Sequence, residues 1–314
     1  MDNNEVRFLK GNMGGNQVVL LEGHKIPEGE ELEVALTVLE PPNVGGHQAG
    51  VLYRGKKENE IIARIVTITG RTYISMCGGL TQILGKALEV KSFLTDFPLE
   101  ISEPETELAL RTDSGTVDID VRVGESEVKE TWTGMDSFVR ECYDLGVEPI
   151  AAAGVSAYRV GETLCVEAED IYEVYPDVHL EEMENPTLKI LRNIQEDFLN
   201  QFFPDSSGKT FSVYDRNPDR SGDVRVIFPH QVATGHVEPA CGTGTTAVGI
   251  TMVEKSQLAD DGSTRLVAES GGSTLSIGGE ESTTLDVEID HGQIQRARFT
   301  HHPIEINVAG TVFI

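Results

Sequence analysis

The sequence predicts an α+β protein made of two similar halves. Nine short runs are typical of strands and are spread along the whole chain; many of them are rich in β-branched residues and bounded by Gly, Pro, Asn or Asp. Helical periodicity is limited to four segments. Two of these helices begin at a Cys-Gly pair, at Cys77 and at Cys241, one in each half of the 314 residues. The repeated motif favours an internal duplication over two unrelated Cys-Gly pairs.

The strand-like runs outnumber the helical segments. They alternate or contain continuous apolar stretches of the length that strands have. The predicted strands cover residues 17–21, 61–69, 117–123, 163–167, 210–214, 224–228, 264–268, 284–289 and 304–308.

The two helices that follow the Cys-Gly pairs share a layout. After Cys77, apolar residues recur at helical spacing and define a buried face: Leu80, Ile83, Leu84, Ala87 and Leu88. The helix after Cys241 is predicted to bury Ala247, Ile250 and Val253. Each helix also carries a glycine eight residues after its cysteine, Gly85 in one and Gly249 in the other.

Two further helices have recognisable ends. Asn185-Pro186 is typical of a helix start, with proline in the first turn, and this helix is predicted to reach about Phe203. The segment 135–145 is predicted to be helical and to stop at Gly146.

Composition excludes several classes of partner. The chain has 52 acidic and 25 basic side chains, a formal charge of −27, so its surface should repel nucleic acid and anionic membranes. An anionic substrate would therefore need local attraction. The acidity fits either a protein adapted to high salt or an ordinary acidic one, and the sequence leaves the oligomeric state open, with a homodimer as one option.

The cellular location is predicted to be cytoplasmic. The N-terminal residues have neither the basic nor the apolar region of a signal peptide, and no apolar run approaches the roughly 18 residues of a membrane span. The four cysteines, at 77, 142, 165 and 241, lack the CxxC spacing of zinc or redox sites, which predicts reduced thiols and no metal.

A cysteine at a helix start is chemically special. The first N–H groups of a helix have no internal partners, and the helix dipole places about half a positive charge there. A thiol at this point should ionise more easily than a free one. The backbone N–H groups of Gly78 and Gly79, and of Gly242, Thr243 and Gly244, are also suited to bind a carboxylate.

Two such helix starts facing one substrate would form a proton-transfer site. One sulfur can remove a proton from one face of a carbon while the other returns a proton to the opposite face. The backbone donors would stabilise the enolate charge that develops on the carboxylate. This chemistry requires no metal, flavin or pyridoxal, so we predict no cofactor. The alternative is a purely structural role, in which Cys77 and Cys241 are core residues beside glycine turns.

The motifs around both cysteines resemble those of the diaminopimelate epimerase and proline racemase superfamily. Residues 239–245 (PACGTGT) are similar to its ACGTG or PCGTG motif, and residues 75–79 (SMCGG) are similar to its MCGNG or MCGHG motif. Weaker similarities lie at residues 13–19 (MGGNQVV), 271–275 (GGSTL) and 308–313 (VAGTVF). The first of these places Asn16 on an asparagine that contacts substrate in the family.

The resemblance implies two similar α+β domains, each a β-barrel-like sheet around a central helix, with the active site in the cleft between them. The last strand would return to the first domain. The expected domains are therefore residues 1–145 plus 300–314, containing Cys77, and residues 146–299, containing Cys241. The resemblance implies Cys77 and Cys241 as catalytic residues and a small carboxylate as substrate.

Departures from the family pattern bear on the substrate. The epimerases carry a Glu-Arg pair before the second cysteine, where this chain has QVATG at 231–235. The racemases have an aspartate shortly before that cysteine, where this chain has Glu238. These differences argue against diaminopimelate itself.

Three functions therefore remain open. The first is a racemase or epimerase that moves the α-proton of an amino or hydroxy acid. The second is an isomerase that moves an allylic proton of an unsaturated di- or tricarboxylate, as in the aconitate and methylitaconate isomerases. The third is a binding protein for carboxylates without catalysis.

Other motif matches carry less weight. Gly242–Ala247 fits a dinucleotide fingerprint, but prolines and glycines interrupt the strand that should precede it. Residues 215–219 resemble part of a calcium loop, and a polar hairpin loop is the better interpretation.

Cys142 and Cys165 are predicted to be buried structural thiols, and His301-His302 to lie at the surface or in a turn. Residues 45–48 (GGHQ) could border a cleft or form an ordinary turn, and we assign them no role.

Overall fold

The structure is a computed structural model. It describes the chain except residues 1–4, 98, 126, 179, 181–184, 204–209, 219, 232–236, 239 and 272–280. The strands are β1 (Glu5–Met13), β2 (Asn16–Glu22), β3 (Gln48–Arg54), β4 (Glu60–Thr67), β5 (Thr72–Ile74), β6 (Glu105–Thr112), β7 (Gly115–Gly124), β8 (Glu127–Gly134), β9 (Val147–Ala152), β10 (Val155–Val160), β11 (Thr163–Glu167), β12 (Phe211–Asp215), β13 (Val224–Gln231), β14 (Val237–Glu238), β15 (Gly262–Ser270), β16 (Ser282–Asp290), β17 (Gln293–His302) and β18 (Ile304–Phe313). The α-helices are α1 (Glu31–Leu39), α2 (Gly78–Lys86), α3 (Asp136–Leu145), α4 (Ala168–Val174), α5 (Asn185–Phe202) and α6 (Gly242–Glu254).

The chain divides into two compact units. The described residues of Met1–Gly134 and Pro303–Ile314 form the first, and those between Met135 and His302 form the second. The mixed α+β class predicted from the sequence is confirmed.

The first unit is built on one mixed sheet. Strand β1 pairs antiparallel with both β18 and β2, and β2 is parallel to β3. Strand β3 pairs antiparallel with β4, which continues parallel to β6 and also pairs with the short β5. The meander β6–β7–β8 completes the sheet.

The second unit has the same connectivity. Strand β10 pairs antiparallel with β9 and β11, β11 is parallel to β12, and β12 is antiparallel to β13. Strand β13 is parallel to β15 and also pairs with the short β14, and β15–β16–β17 form the closing meander. Every pairing of the first unit thus has a counterpart in the second, with the same relative strand direction.

The helices occupy corresponding places in this pattern. Helix α2 lies between β5 and β6 in the chain, and α6 lies between β14 and β15. Helix α2 packs on β1, β2, β7 and β8, and α6 packs on the equivalent β10, β11, β16 and β17. The two cysteines therefore precede helices that are equivalent in topology.

Successive side chains along each strand point to opposite faces of the first sheet, and each face carries a hydrophobic core. Leu9, Val18 and Leu20 point into a cluster with Leu80, Ile83 and Leu84 of α2. Their neighbours along the strands, including Phe8, Val19 and Leu21, join a second cluster with α1. In the second unit, α4 and α5 cover a cluster formed by β10–β13.

The two glycines that sit eight residues after the cysteines have a packing role. A Cβ atom on Gly85 would lie 2.3 Å from the Cγ2 atom of Thr131, and one on Gly249 would lie 2.7 Å from the Cδ2 atom of Leu285. Both glycines allow a strand to approach the helix closely. Gly85 faces β8 and Gly249 faces β16, so each glycine has a packing role in its own unit.

The predicted helices are present. Leu80, Ile83, Leu84, Ala87 and Leu88 are all buried, although the α-helix ends at Lys86 and a 3-10 turn carries the last two. Helix α5 begins at Asn185, and α3 ends before Gly146, which has φ of 104°. Among the described residues, no helix is both long enough and apolar enough to span a membrane.

One local prediction is wrong. His301 is only 2% exposed, in β17, and its Nδ1 atom lies 3.0 Å from the hydroxyl of Thr283 on the neighbouring strand. Burial lowers the pKa of His301 to about 3, so the imidazole is neutral at physiological pH. His302, the next residue along the strand, is exposed as predicted. The GGSTL segment falls outside the described residues except for Gly271.

Candidate active site

Cys77 caps helix α2. Its backbone is extended (φ −150°, ψ 114°), and the backbone N–H of Leu80 donates a hydrogen bond to its Sγ atom at 3.3 Å. Gly78 and Gly79 are the first two residues of the helix, so their N–H groups have no acceptor within it. The sulfur thus lies at the positive end of the helix dipole, beside two backbone donors.

Gln48 connects this thiol to Asn16. The Oε1 atom of Gln48 accepts hydrogen bonds from the Cys77 thiol and, at 3.4 Å, from the Nδ2 atom of Asn16. Asn16 begins β2 and Gln48 begins β3, and the parallel pairing of these strands brings the two side chains to the same edge. The predicted residues Asn16, Cys77, Gly78 and Gly79 therefore lie together in the first unit.

Asn16 contributes an unused acceptor to this cluster. Its side chain is only 5% exposed, and its buried Oδ1 atom has no hydrogen-bond partner among the described residues. A Cβ atom on Gly79 would lie 2.9 Å from the Nδ2 atom, so a residue larger than glycine would displace the amide. A buried acceptor without a donor is costly, which suits a site that a ligand completes.

Cys241 caps helix α6 with nearly the same backbone geometry, φ −145° and ψ 114°. The amide N–H of Thr245 bonds the Cys241 carbonyl at 2.9 Å and starts the helix. No backbone N–H bonds the sulfur as a cap here; instead, the hydroxyl of Thr243 lies 3.1 Å from Sγ. Cys241 is partly exposed.

Packing explains the glycines after Cys241. A Cβ atom on Gly242 would lie 2.4 Å from the ring of Phe299, and one on Gly244 would lie 2.2 Å from the ring of Phe228. Glycine is therefore needed at both positions whether or not a ligand binds. Gly242, Thr243 and Gly244 are the first three residues of α6, so their N–H groups have no acceptor within the helix.

The remaining cysteines have a different environment. Cys142 and Cys165 are 2% and 1% exposed, which confirms the prediction of buried thiols. Burial raises the pKa of each to about 12, so both are protonated and unreactive near neutral pH.

One group of side chains in the described part of the chain has the spacing of a metal site. It consists of Glu22, His24 and Asp96, whose ligand atoms lie within 4.8 Å of one another. The guanidinium group of Arg7 already bonds both carboxylates, with the Nε atom 2.8 Å from Glu22. Arg7 supplies the positive charge that a cation would bring, and we interpret the group as an ion-pair cluster.

Sequence comparisons identify no relative of this chain. No protein-family model matches it, and no curated protein matches it.

Solved structures, by contrast, resemble it over its whole length. A hydroxyproline epimerase from Agrobacterium vitis with bound trans-4-hydroxy-L-proline has a TM-score of 0.66 at 14% identity, covering 99% of this chain and 93% of the other. A PhzF-family phenazine biosynthesis protein from Bacillus anthracis has a TM-score of 0.63 at 14% identity, covering 99% of both chains. A methylitaconate-delta-isomerase has a TM-score of 0.62 at 13% identity, covering 100% of this chain and 96% of the other.

The chain therefore has the diaminopimelate epimerase-like fold, as its two cysteine motifs predicted. At these identities, the comparisons establish the fold, and any activity has to be argued from the residues of the site.

Gln48 and the side chain of Thr243 were not predicted from the sequence to lie beside the two cysteines. In the sequence, residues 45–48 fit a loop that borders a cleft and an ordinary turn equally well. The signal that could have drawn attention to them was the polar pair His47-Gln48 at the start of a strand. His47 is buried and accepts a hydrogen bond from the N–H of Gln17 at its Nδ1 atom, which fixes the loop that leads to Gln48.

Proposed function

We propose that this chain is a cofactor-independent racemase or epimerase that inverts the α-carbon of a small amino or hydroxy acid. The observation that carries the proposal is the repeated arrangement of Cys77 and Cys241. Each cysteine is the N-cap of a helix, each has the same extended backbone, and each helix occupies the same place in its unit.

In the proposed reaction, one sulfur acts as base and the other as acid. A thiolate takes the α-proton from one face of the carbon, and the other thiol gives its proton to the opposite face. The negative charge passes to the substrate carboxylate, where the N–H groups at residues 78–79 and 242–244 stabilise it. The roles exchange in the reverse direction. In this reaction both sulfurs have to reach the same carbon.

Asn16 favours an amino or hydroxy acid over an unsaturated polycarboxylate. Its buried Oδ1 atom can only accept a hydrogen bond, and an ammonium, imino or hydroxyl group on the substrate can supply one. A second ionised carboxylate offers acceptors alone and would leave this oxygen without a donor.

Incorporation of solvent deuterium tests the proposal. Purified protein is incubated in D₂O with each enantiomer of proline, 4-hydroxyproline and simple α-hydroxy acids, and products are separated on a chiral phase. We expect inverted product that carries α-deuterium. Deuterium exchange with retained configuration would contradict a mechanism with two bases.

Substitution of each cysteine tests which residues transfer the proton. Cys77→Ser and Cys241→Ser should each lower the rate of inversion by roughly 10²–10⁴-fold, the range associated with a general acid or base. Cys142→Ser is the matched control, because this thiol is buried and protonated. Unchanged inversion in either of the first two variants would reject the assigned roles.

An allylic isomerase is the second candidate, supported by the structural likeness to methylitaconate-delta-isomerase. It predicts an absorbance change as the double bond of an aconitate-like acid moves, with no inversion of saturated acids. Binding of carboxylates without exchange or isomerisation would instead indicate the third candidate, a binding protein without catalysis.

A further inference from the structure

The second unit contains a cavity that the proposed reaction does not use. It has a volume of about 460 Å³ and lies at the C-terminal end of α6, the end opposite to Cys241. This volume falls in the range of small-molecule sites, about 300–1,000 Å³. Its walls come from β9–β12, α4 and α6. We call it the α6-end cavity.

One of its carboxylates, Glu167, is already fully bonded. Glu167 is 6% exposed and accepts hydrogen bonds from Lys255, from Arg216 at 2.6 Å, from Gln257 at 3.0 Å and from Tyr214 at 3.2 Å. Burial alone would raise its pKa, but the hydrogen bonds from Lys255, Gln257 and Arg216 outweigh burial and lower the pKa to about 2. Glu167 is thus a charged, fixed part of the wall that has no need of a ligand.

Asp170, the other carboxylate of the cavity, has fewer polar partners than Glu167. Its nearest cation is Lys255, whose Nζ atom lies 3.8 Å from Oδ2, beyond hydrogen-bond distance. Lys255 is directed to Glu167 instead. Burial raises the pKa of Asp170; Lys255 acts against this shift, whereas the carboxylates of Glu167, Glu173 and Glu169 add to it. Among the described residues, no group donates a hydrogen bond to Asp170.

The other walls suit an uncharged body. Ile150 and Ala157 supply aliphatic surface, and Tyr158 and Tyr214 supply aromatic surface. The carbonyl groups at the C-terminal end of α6 add partial negative charge near Lys255. A ligand for this cavity would therefore combine a cationic hydrogen-bond donor with a small apolar or aromatic body.

We infer that the α6-end cavity binds a small primary amine, with its ammonium group on Asp170 and its apolar part against Ile150, Ala157 and the two tyrosines. The Asp170 side chain is 27% exposed and lies 3.8 Å from Lys255, so an ammonium group would replace water there with a charged donor, and aromatic faces attract a cation. An anionic ligand would instead meet two carboxylates and a lysine that is already bonded.

Binding of three matched probes tests this inference. Isothermal titration of the full chain is carried out with 2-phenylethylamine, with the uncharged 2-phenylethanol and with the anionic 3-phenylpropionate. The amine should bind at least about tenfold more tightly than either of the others, as expected for a charge-assisted hydrogen bond. Equal affinity of the three probes, or no binding of the amine at millimolar concentration, would overturn the inference.

Variants of helix α4 locate the bound amine. Asp170→Asn should weaken amine binding at least about tenfold, because it keeps the shape of the side chain and removes the charge. Glu173→Gln removes the same charge from the same helix at an exposed position outside the cavity and should leave binding unchanged. If both variants bind like the wild type, the amine does not bind at Asp170.

A further variant separates this site from the cysteines. The double variant Cys77→Ser/Cys241→Ser should bind the amine with unchanged affinity. Loss of binding in this double variant would place the amine at the candidate active site and reject the cavity. Because the readout is binding, failure of the proposed racemase activity would not affect the result.

Discussion

At the residue scale, Gln48 shows how a side chain without a motif enters a candidate active site. It is 29 residues from Cys77 in sequence, and the pairing of β3 with β4 and of β4 with β5, the strand before Cys77, connects the two positions. The spacing of residues along the chain does not show which strands pair, so it could not predict this contact. The position of Cys77 and Cys241 at two helix starts, in contrast, could be predicted because a Cys-Gly pair before an apolar helical period is itself a local pattern.

The hydrogen bond between Gln48 and Cys77 leads to a prediction at this scale. Gln48→Met retains side-chain length but removes the acceptor that orients both the Cys77 thiol and the Asn16 amide. We expect kcat/KM for the proposed inversion to fall by roughly 10- to 100-fold, the consequence of losing a positioning hydrogen bond to a reacting group.

Thermal unfolding provides the control for Gln48→Met. The side chain is only half-buried at the start of a strand, so the melting temperature should remain within a few degrees of the wild type. Full activity in this variant would show that Gln48 does not orient the thiol.

At the scale of secondary structure, the strongest local patterns were the most predictive. The strand predicted at 163–167 coincides with β11, and the helix after Cys77 was located from its apolar period. Strand β9 was missed because its sequence contains a proline and alanines and most of its residues are partly or fully exposed. Helix α1 was missed because it is nine residues long and its β-branched residues weaken the helical signal.

His301 was missed for a related reason. Two adjacent histidines before a proline are typical of a surface turn, but period-two alternation in β17 buries the first and exposes the second. Which face of that strand meets the core depends on β16, which pairs His301 with Thr283.

The glycines that bring α2 and α6 close to their sheets permit a comparison. Gly85→Ala places a Cβ atom 2.5 Å from the Oγ1 atom and 3.0 Å from the Cβ atom of Thr131, a fully buried β-branched residue that can hardly move. Gly249→Ala meets the flexible end of Leu285. Overpacking costs about 1–3 kcal/mol, whereas alanine gains up to about 1 kcal/mol in a helix.

We therefore expect Gly85→Ala to lower the free energy of unfolding by about 1–2 kcal/mol and Gly249→Ala to change it by less than about 1 kcal/mol. Urea unfolding followed by circular dichroism measures both, and each variant serves as the control for the other. The opposite order would show that Thr131 can move aside more easily than Leu285.

At the scale of the whole molecule, the matching connectivity of the two units accounts for the repeated motif. Nine strands and one central helix recur with the same pairings, although sequence alone revealed only the two Cys-Gly starts and their glycines. The rest of the repeat is invisible in sequence because a sheet accepts many apolar and β-branched residues in each position.

Oxidation gives a prediction at this scale, and it rests on the proposed function. Two sulfurs that reach the same carbon should be close enough to form a disulfide under a mild thiol oxidant such as diamide. We expect loss of inversion, recovery after addition of dithiothreitol, and a Cys77–Cys241 linked peptide in the mass spectrum of a digest.

The buried thiols provide the internal control for this experiment. Cys142 and Cys165, with pKa values raised to about 12, should remain unmodified until the protein is unfolded. Full activity of completely oxidised protein, or earlier reaction of Cys142 and Cys165, would contradict the proposed arrangement of the sulfurs.

The pairing of β1 with β18 has a consequence for biosynthesis. Strand β1 bonds β18 along nearly its full length, from Glu5 opposite Phe313 to Met13 opposite Ile304, and the entire second unit lies between them in the chain. During translation, the N-terminal segments emerge from the ribosome long before the strand that completes their sheet. One side of β1 should therefore remain exposed in the nascent chain while the second unit is made, and a chaperone that shields strand edges would act at this stage.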